Sequence, residues 1–358
     1  MTRLSRVLGV GLQNLLKPAR AWASPLHIQV EVTTCCNLKC VMCSHANLIK
    51  TPRHMNLAAF KTVCSKIRPH KIALSGIGEP LLNPEFLDMV HHARSQDIST
   101  LTTSNMTLIS RDKATELVAS GLQLIKGSID SLDPATYRTI RGQDAHRKVV
   151  DGLNNLLEAR RQAGTRHPYI RLQFVMQQAN FREIPEMVDF CAEHGVDAVY
   201  FQPLDPVFDQ SFDEKLLANL PRDEFHAILL QASKKAAGLH VVSNLPALLR
   251  GFDAVWHKYQ PSEQTNLLTG PCMMPWTSLY IDVDGEVRLC CAFASSPEMT
   301  LGNILNDDFE SIWNGEAFQT YRRQFAKGQR VCTVCQNCLA PTLAGQLRST
   351  GLTRLLIR

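Results

Sequence analysis

Three cysteines crowd one short stretch near the start of the chain. Cys36, Cys40 and Cys43 form a C-x3-C-x2-C array within Cys36-Asn37-Leu38-Lys39-Cys40-Val41-Met42-Cys43. The run before it, residues 27–33, has strand-like alternation, so the array reads as the loop that leaves a strand. A cubane [4Fe–4S] cluster takes four thiolates. Three from one loop leave one iron open, and an open position is what separates a reactive metal centre from a structural one. Taken alone, the same array also fits a zinc loop or three reduced thiols.

The 358 residues give room for one large α/β domain and a smaller one, with 45% hydrophobic and 20% charged residues as in ordinary globular proteins. A net charge of +5 is too mild to argue for a nucleic-acid partner. The twelve cysteines fall mostly into two groups, and no secretory signal is legible. That distribution reads as metal binding in a reducing, cytoplasmic setting and not as a disulfide framework.

Residues 1–25 stand apart. Leu4, Val7, Leu8, Leu12, Leu15 and Leu16 alternate with Arg3, Arg6, Lys17 and Arg20, the pattern of an amphipathic basic helix. It is too short and too charged to span a bilayer. Packing on the exterior of the main domain is expected, with weak membrane-surface contact as its other role. Strands and helices then alternate. Strands are expected at 27–33, 71–75, 98–103, 122–129, 169–176 and 196–201. Helices are expected at 56–68 with Asn56 as N-cap, and at 84–94, 110–120, 145–162, 183–194 and 221–235. Asn180 and Glu183 suggest a capping box, and residues 239–242 a further short strand. Such βα repetition implies a parallel sheet with right-handed crossovers, and ligands gather at the carboxyl ends of its strands.

The strand ends are therefore wall candidates. After the second strand comes Gly76-Ile77-Gly78-Glu79-Pro80, where two glycines permit close backbone approach to a ligand and Glu79 offers a carboxylate to an ammonium. Ser104 and Asn105 follow the third strand, and Ser128 and Asp130 the fourth. Arg171, Gln173 and Gln202 are secondary candidates. Arg171 lies near the start of its strand, away from the carboxyl ends.

The spacing of Cys36, Cys40 and Cys43 resembles the signature of the radical S-adenosylmethionine (radical SAM) enzymes. The resemblance implies a partial (β/α)6 barrel, here over residues 26–268. It also implies a [4Fe–4S] cluster on the three cysteines whose open iron chelates S-adenosylmethionine. Gly76, Gly78 and Glu79 look like the family's GGEP motif, which holds the SAM amino group, with Ile77 between the glycines. Ser104, Asn105, Ser128 and Asp130 stand where the family contacts the ribose and carboxylate of SAM. The residue before the third cysteine is often aromatic in the family. Here it is Met42, whose backbone and thioether can still lie against adenine. A flavodoxin- or ferredoxin-like reductant is implied as well.

A second group of cysteines occupies residues 269–345: Cys272, Cys290, Cys291, Cys332, Cys335 and Cys338. Asp284-Gly285 between alternating runs predicts a hairpin that brings Cys290 back toward Cys272. Helices over 308–313 and 316–327 then deliver the C-x2-C-x2-C cluster, and a basic tail follows over 346–358. The arrangement resembles the SPASM and twitch auxiliary-cluster domains of radical SAM enzymes, small α+β units. A second [4Fe–4S] cluster is implied on Cys272, Cys290 and two of Cys332, Cys335 and Cys338, with Cys335 and Cys338 the preferred pair. A zinc ribbon would use similar pairs. Together the two halves suggest an oxidoreductase that abstracts hydrogen from a sugar- or cyclitol-like small molecule and passes an electron to the auxiliary cluster. Epimerisation, with Cys291 as hydrogen donor, and peptide modification are the other reactions such a pairing supports. A protein that only binds metal or shuttles electrons would not need the Gly76–Pro80 loop.

Overall fold

In the computed structural model, residues 3–49, 51–204, 220–257, 272–294, 299–329 and 335 are described. Cys332, Cys338, the 346–358 tail and the expected boundary at 268/269 lie outside them.

Runs that alternate apolar and polar residues become strands with two different faces. Six of them, β1 (His27–Val30), β2 (Lys71–Leu74), β3 (Ser99–Ser104), β4 (Leu124–Ser128), β5 (Tyr169–Met176) and β6 (Ala198–Pro203), pair in sequence order and in parallel. Two more, β7 (Ser278–Ile281) and β8 (Val287–Arg288), complete one eight-stranded sheet with the order β6-β5-β4-β3-β2-β1-β7-β8. Strand β7 joins parallel to β1, and β8 returns antiparallel to β7. The expected barrel is thus present, and the C-terminal hairpin extends its sheet.

The outward residues Ile28, Val30, Ile72, Leu74, Ile125, Ile170, Leu172 and Phe174 are buried in one apolar core. The helices that cover it begin with α1 (Arg3–Leu16), α2 (His45–Leu48), α3 (Leu57–Ile67), α4 (Phe86–Ser95), α5 (Arg111–Ala119), α6 (Pro134–Arg141), α7 (His146–Gln162) and α8 (Ile184–His194). Then come α9 (Arg222–Gly238), α10 (Leu245–Arg250), α11 (Phe252–His257), α12 (Met274–Thr277), α13 (Phe309–Trp313) and α14 (Glu316–Ala326). The inward faces of the strands carry polar residues: His27 and Gln29, Lys71, Lys126 and Ser128, Arg171 and Gln173, Tyr200 and Gln202, and Tyr280. A polar interior is a place for a ligand, in contrast to the packed centre of a closed (β/α)8 barrel.

Asn56 caps α3 as expected, accepting from the Ala59 amide at 2.8 Å. Three expectations fail for local reasons. The Asn180–Glu183 capping box does not form, because Asn180 bonds the Gln177 amide and the carbonyls of Asp130 and Val175, and Glu183 takes the Ser131 hydroxyl and the Leu132 amide. Residues 239–242 make no strand. His240 turns the chain at positive φ, and only the isolated bridge Val199–Ser243 reaches β6. Helix α1 packs on the C-terminal region and not on the barrel exterior: Gln13 donates to the Trp276 carbonyl at 2.6 Å, and Trp276 Nε1 donates to Pro18 O at 2.8 Å. It leaves Leu8, Leu12, Leu15 and Leu16 exposed along one side. No helix among the described residues is long and apolar enough to cross a membrane.

The segment after α1 is clamped by buried polar groups. Asn314 accepts from the Ala21 amide (2.8 Å) and donates to the Ala21 carbonyl (2.9 Å). Arg322, fully buried, donates to the carbonyls of Pro275, Trp313 and Ala19 and stacks 4.3 Å from the Trp313 ring centre. Asn314→Ala leaves the Ala21 groups unpaired in the interior, at a cost of about 2–3 kcal/mol. The expected outcome is a lower thermal unfolding midpoint. An unchanged midpoint would show that this clamp does not hold the segment.

Candidate active site

The cysteine loop begins directly beyond the carboxyl end of β1. It is shaped by the elements behind it more than by its own sequence. The amides of Lys39 and Val41 donate to the carbonyls of Arg141 and Ile140, at the end of α6, and the Cys43 amide closes a turn on the Cys40 carbonyl. Asn37 donates to Thr107 Oγ1 (2.8 Å) and accepts from Asn105 Nδ2 (2.8 Å), tying the loop to the end of β3. Gly142 follows α6 at φ +72°, where a Cβ would stand 2.2 Å from the Lys39 carbonyl oxygen. Cys36, Cys40, Cys43 and Met42 are all half-buried.

The three thiols sense one another. Burial, then Glu79, Cys40 and Cys43, push Cys36 up to about 11. A bare thiolate is disfavoured there, and a bound cationic centre reverses that balance. One cation already stands beside the loop: Arg141 Nη1 lies 3.6 Å from Cys40 Sγ. These residues fit an iron–sulfur cluster, an electron-rich centre held by thiolates beside a guanidinium.

The Gly76–Pro80 loop lies against the cysteine loop itself. The Glu79 amide donates to the Cys35 carbonyl at 2.7 Å. A Cβ on Gly78 would meet the Thr33 and Cys35 carbonyl oxygens at 2.4 and 2.6 Å, and one on Gly76 would meet the Glu31 side chain at 2.4 Å. Both glycines thus permit close contact between two chain segments. Glu79 is buried and pushed up to about 7 by that burial, although it accepts from the amides of Asn105 (2.7 Å) and Leu81 (3.3 Å). Ser104 and Asn105 are buried as well: Ser104 Oγ accepts from the Met106 amide, and Asn105 joins the Asn37–Thr107 network. Ser128 is half-buried at the end of β4.

Asp130 is held differently from its expected role. It is fully buried, Oδ2 pairs with Arg141 Nη2 at 2.6 Å, and Oδ1 accepts from the Val175 amide at 2.8 Å. Burial works against the charge on Arg141, but Asp130, then Cys40 and Tyr137, hold its pKa above the ordinary range. Asp130 thus orients the cation that faces Cys40, and its other oxygen is taken by the end of β5.

A second buried network crosses from β1 to the hairpin. Glu31 accepts from the Ile77 amide at 2.7 Å beside Tyr280, and burial pushes it up to about 7. Asp282 pairs with Arg288 at 2.8 Å, both side chains largely buried. Strand β8 runs from there back toward the first residues of the strands, and Cys290 and Cys291 follow it, half-buried. Cys272 is half-buried before α12, and Cys335 is buried in the core.

The comparisons with known proteins agree with this geometry. The family model of the radical SAM superfamily matches residues 30–191, and that of SPASM, an iron–sulfur cluster-binding domain, matches residues 272–339. This chain is a radical SAM protein with a C-terminal SPASM domain. It is 27% identical over 206 residues to the tungsten-containing aldehyde ferredoxin oxidoreductase cofactor-modifying protein of Pyrococcus furiosus, covering 54% of this chain and 58% of that one, so the match spans little more than half of that relative. It is 23% identical over 327 residues to the mycofactocin maturase MftC of Mycobacterium tuberculosis, covering 89% of this chain and 77% of the relative. The crystal structure of Streptococcus suis SuiB bound to its precursor peptide SuiA shares the fold, with a TM-score of 0.64 at 16% identity over 91% of this chain and 73% of that one.

As a radical SAM protein the chain takes a [4Fe–4S] cluster and S-adenosylmethionine, and its SPASM domain takes auxiliary iron–sulfur chemistry. The residues that sequence reasoning missed are the ones that position this machinery: Asn37, Arg141, Glu31 and Tyr280. A signal for Arg141 was present. Asp133-Pro134 opens α6 with an N-cap and a first-turn proline, and Gly142 closes it. Asp130→Asn removes the counter-charge of a buried guanidinium, and about 3–5 kcal/mol of destabilisation is expected. Less iron should be retained at the Cys36–Cys43 loop after anaerobic reconstitution. Full iron content with unchanged stability would show that the pair does not support the loop.

Proposed function

We propose that this protein is a radical SAM oxidoreductase whose substrate sits inside the barrel, between the Cys36–Cys43 loop at one end of the strands and Cys290 and Cys291 at the other. The observation that carries this reading is the polar inner face of a sheet whose two ends lead to the two cysteine groups. When bound, the cluster and S-adenosylmethionine supply a 5′-deoxyadenosyl radical, which takes a hydrogen atom from substrate.

The chain's residues divide the remaining work. Cys36, Cys40 and Cys43 hold the cluster, and Arg141 offsets its negative charge at Cys40. Glu79 serves the ammonium group of S-adenosylmethionine, with Met42, Gly76, Gly78, Ser104, Asn105 and Ser128 forming the surrounding wall and Asp130 acting through Arg141. Cys272 and Cys290, with Cys335 and Cys338, hold one auxiliary cluster. Loss of a hydrogen atom, a proton and an electron from the substrate amounts to a two-electron oxidation, with the electron leaving by the auxiliary centre. A flavodoxin- or ferredoxin-like protein supplies the starting electron.

The sugar or cyclitol substrate is the reading that the sequence alone suggested. A peptide is favoured by the likeness to the maturase MftC, a relative whose match covers 89% of this chain. Return of hydrogen from Cys291, giving epimerisation, is a second reading. It is favoured by the place of Cys291 after β8, at the end of the sheet opposite the Cys36–Cys43 loop.

The deciding experiment is anaerobic turnover with dithionite and S-adenosylmethionine. Wild type should form 5′-deoxyadenosine and contain about eight irons, two cubanes of four. Cys36→Ala should form none. Cys291→Ala should keep 5′-deoxyadenosine formation and, on the oxidation reading, product formation too. Failure of wild type to form 5′-deoxyadenosine would overturn the proposal.

A further inference from the structure

Charge is spread unevenly along this chain, and the excess lies around the cysteine loop. From Val32 to Gly78 there is no Asp or Glu, yet there are seven Lys and Arg residues, Lys39 and Arg53 among them. The whole chain has 38 basic and 33 acidic residues, so 31 against 33 remain for everything outside that stretch. The net charge of +5 therefore comes from this stretch alone. Packing accounts for part of it: Lys66 donates to the Ile304 and Asp307 carbonyls. It does not account for the cations beside the loop.

The loop reaches solvent in its middle. Val41 is 57% exposed and Lys39 is exposed, so Cys40 stands between two surface residues. The amides of both are tied to the end of α6, and Arg138, one turn earlier on that helix, is exposed as well. On the other side of the loop, backbone bonds between Arg53 and Thr34 hold a third exposed cation, whose pair with Asp284 is itself exposed and so worth little. Lys39 and Arg138 make no ion pair among the described residues. The stretch from Pro134 to Gln143 also lacks acids. Of the two that flank it, Asp133 accepts from the Thr136 amide at 2.7 Å as the cap of α6, and Asp144 is exposed beyond Gly142. A small apolar spot with a charged rim is the make-up of a brief redox encounter surface. Unpaired cations on that rim select an acidic partner and speed its approach.

We infer that the face formed by Lys39, Val41, Arg138 and Arg53 is where an acidic one-electron donor protein docks, delivering its electron through Cys40. The inference rests on the reading of the Cys36–Cys43 loop as the holder of the open cluster, and it says where the reductant meets that loop. The donor loses one electron and the cluster gains it, and no atom is transferred. Cys40 is the cluster thiol with exposed residues on both sides, which makes it the short route inward from this surface. Helix α6 belongs to the outer layer of helices, so a donor seated here leaves the barrel interior to the substrate.

The test is anaerobic stopped-flow reduction of the reconstituted full-length protein, followed by bleaching of its cluster absorbance, with reduced flavodoxin as the acidic donor. Photoreduced deazariboflavin, small and uncharged, is the control reductant. The flavodoxin rate should fall as salt rises, and the deazariboflavin rate should not. Arg138→Glu should slow reduction by flavodoxin roughly tenfold or more at low salt, with iron content and the deazariboflavin rate as in wild type. Arg138→Gln and Lys39→Gln should each show a smaller loss in the same direction, which keeps the test open if the charge reversal fails to fold. Lys234→Glu changes net charge equally on α9, where Lys234 is exposed, and should reduce like wild type. Equal slowing by Lys234→Glu and Arg138→Glu would overturn the inference, because net charge and not this face would then set the rate. So would a flavodoxin rate that none of the Arg138 and Lys39 replacements alters. Sedimentation with phosphatidylserine vesicles that Arg138→Glu abolishes, with flavodoxin reduction unchanged, would give the face to a lipid surface and overturn the inference as well. Wild type that takes up no iron would instead overturn the radical reading on which the inference rests.

Discussion

Behind the cysteine loop a single guanidinium joins two strand ends to a sulfur atom. Arg141 is buried between Asp130 and Cys40, and the end of its helix supplies the carbonyls that the loop amides need. Burying this pair costs solvation that the ion contact only partly returns, so stability alone is a weak reason to keep it. Its value lies in position. A cation fixed beside one thiolate favours a negatively charged cluster at that spot, and the hydrogen bonds to Lys39 and Val41 hold the loop in one shape before any metal arrives.

The same logic extends across the sheet. Strand β1 is flanked by β2 from the barrel and β7 from the SPASM domain, so both cysteine groups hang from one hydrogen-bonded frame. The Glu31 amide donates to the Ile281 carbonyl across the two domains, and Asp282 with Arg288 stiffens the turn of the hairpin. On the outside, Lys66 of α3 donates to the carbonyls of Ile304 and Asp307, and Arg53 pairs with Asp284. The domains cannot shift independently without breaking buried polar contacts. A fixed separation between a radical source and an electron acceptor is what a substrate held between them requires.

The outline of this arrangement was legible in the chain because it depends on local patterns. Outward apolar residues recur every second position in β1, β2, β5 and β6, and the Cys36–Cys43 spacing needs no tertiary information. What was not legible depends on register. Asp130 reads as a polar strand end facing a ligand, and only the placement of α6 reveals Arg141 as its partner. Gly78 reads as a turn glycine, and only the approach of Thr33 and Cys35 shows how closely it packs on the cysteine loop. Lys126 is unremarkable in sequence, and only the pairing of β4 with β5 sets it against Arg171. Asn180 and Glu183 have the spacing of a capping box, yet stronger partners on neighbouring loops take both side chains.

The most direct test is electron paramagnetic resonance of the reconstituted, reduced protein before and after addition of S-adenosylmethionine. Two cluster signals are expected, of which only one changes with S-adenosylmethionine. Replacing Cys272 and Cys290 together should remove the signal that does not change and leave the other. A spectrum in which S-adenosylmethionine alters nothing, or in which the Cys272 and Cys290 replacements abolish the responsive signal, would contradict the assignment of the open cluster to Cys36, Cys40 and Cys43.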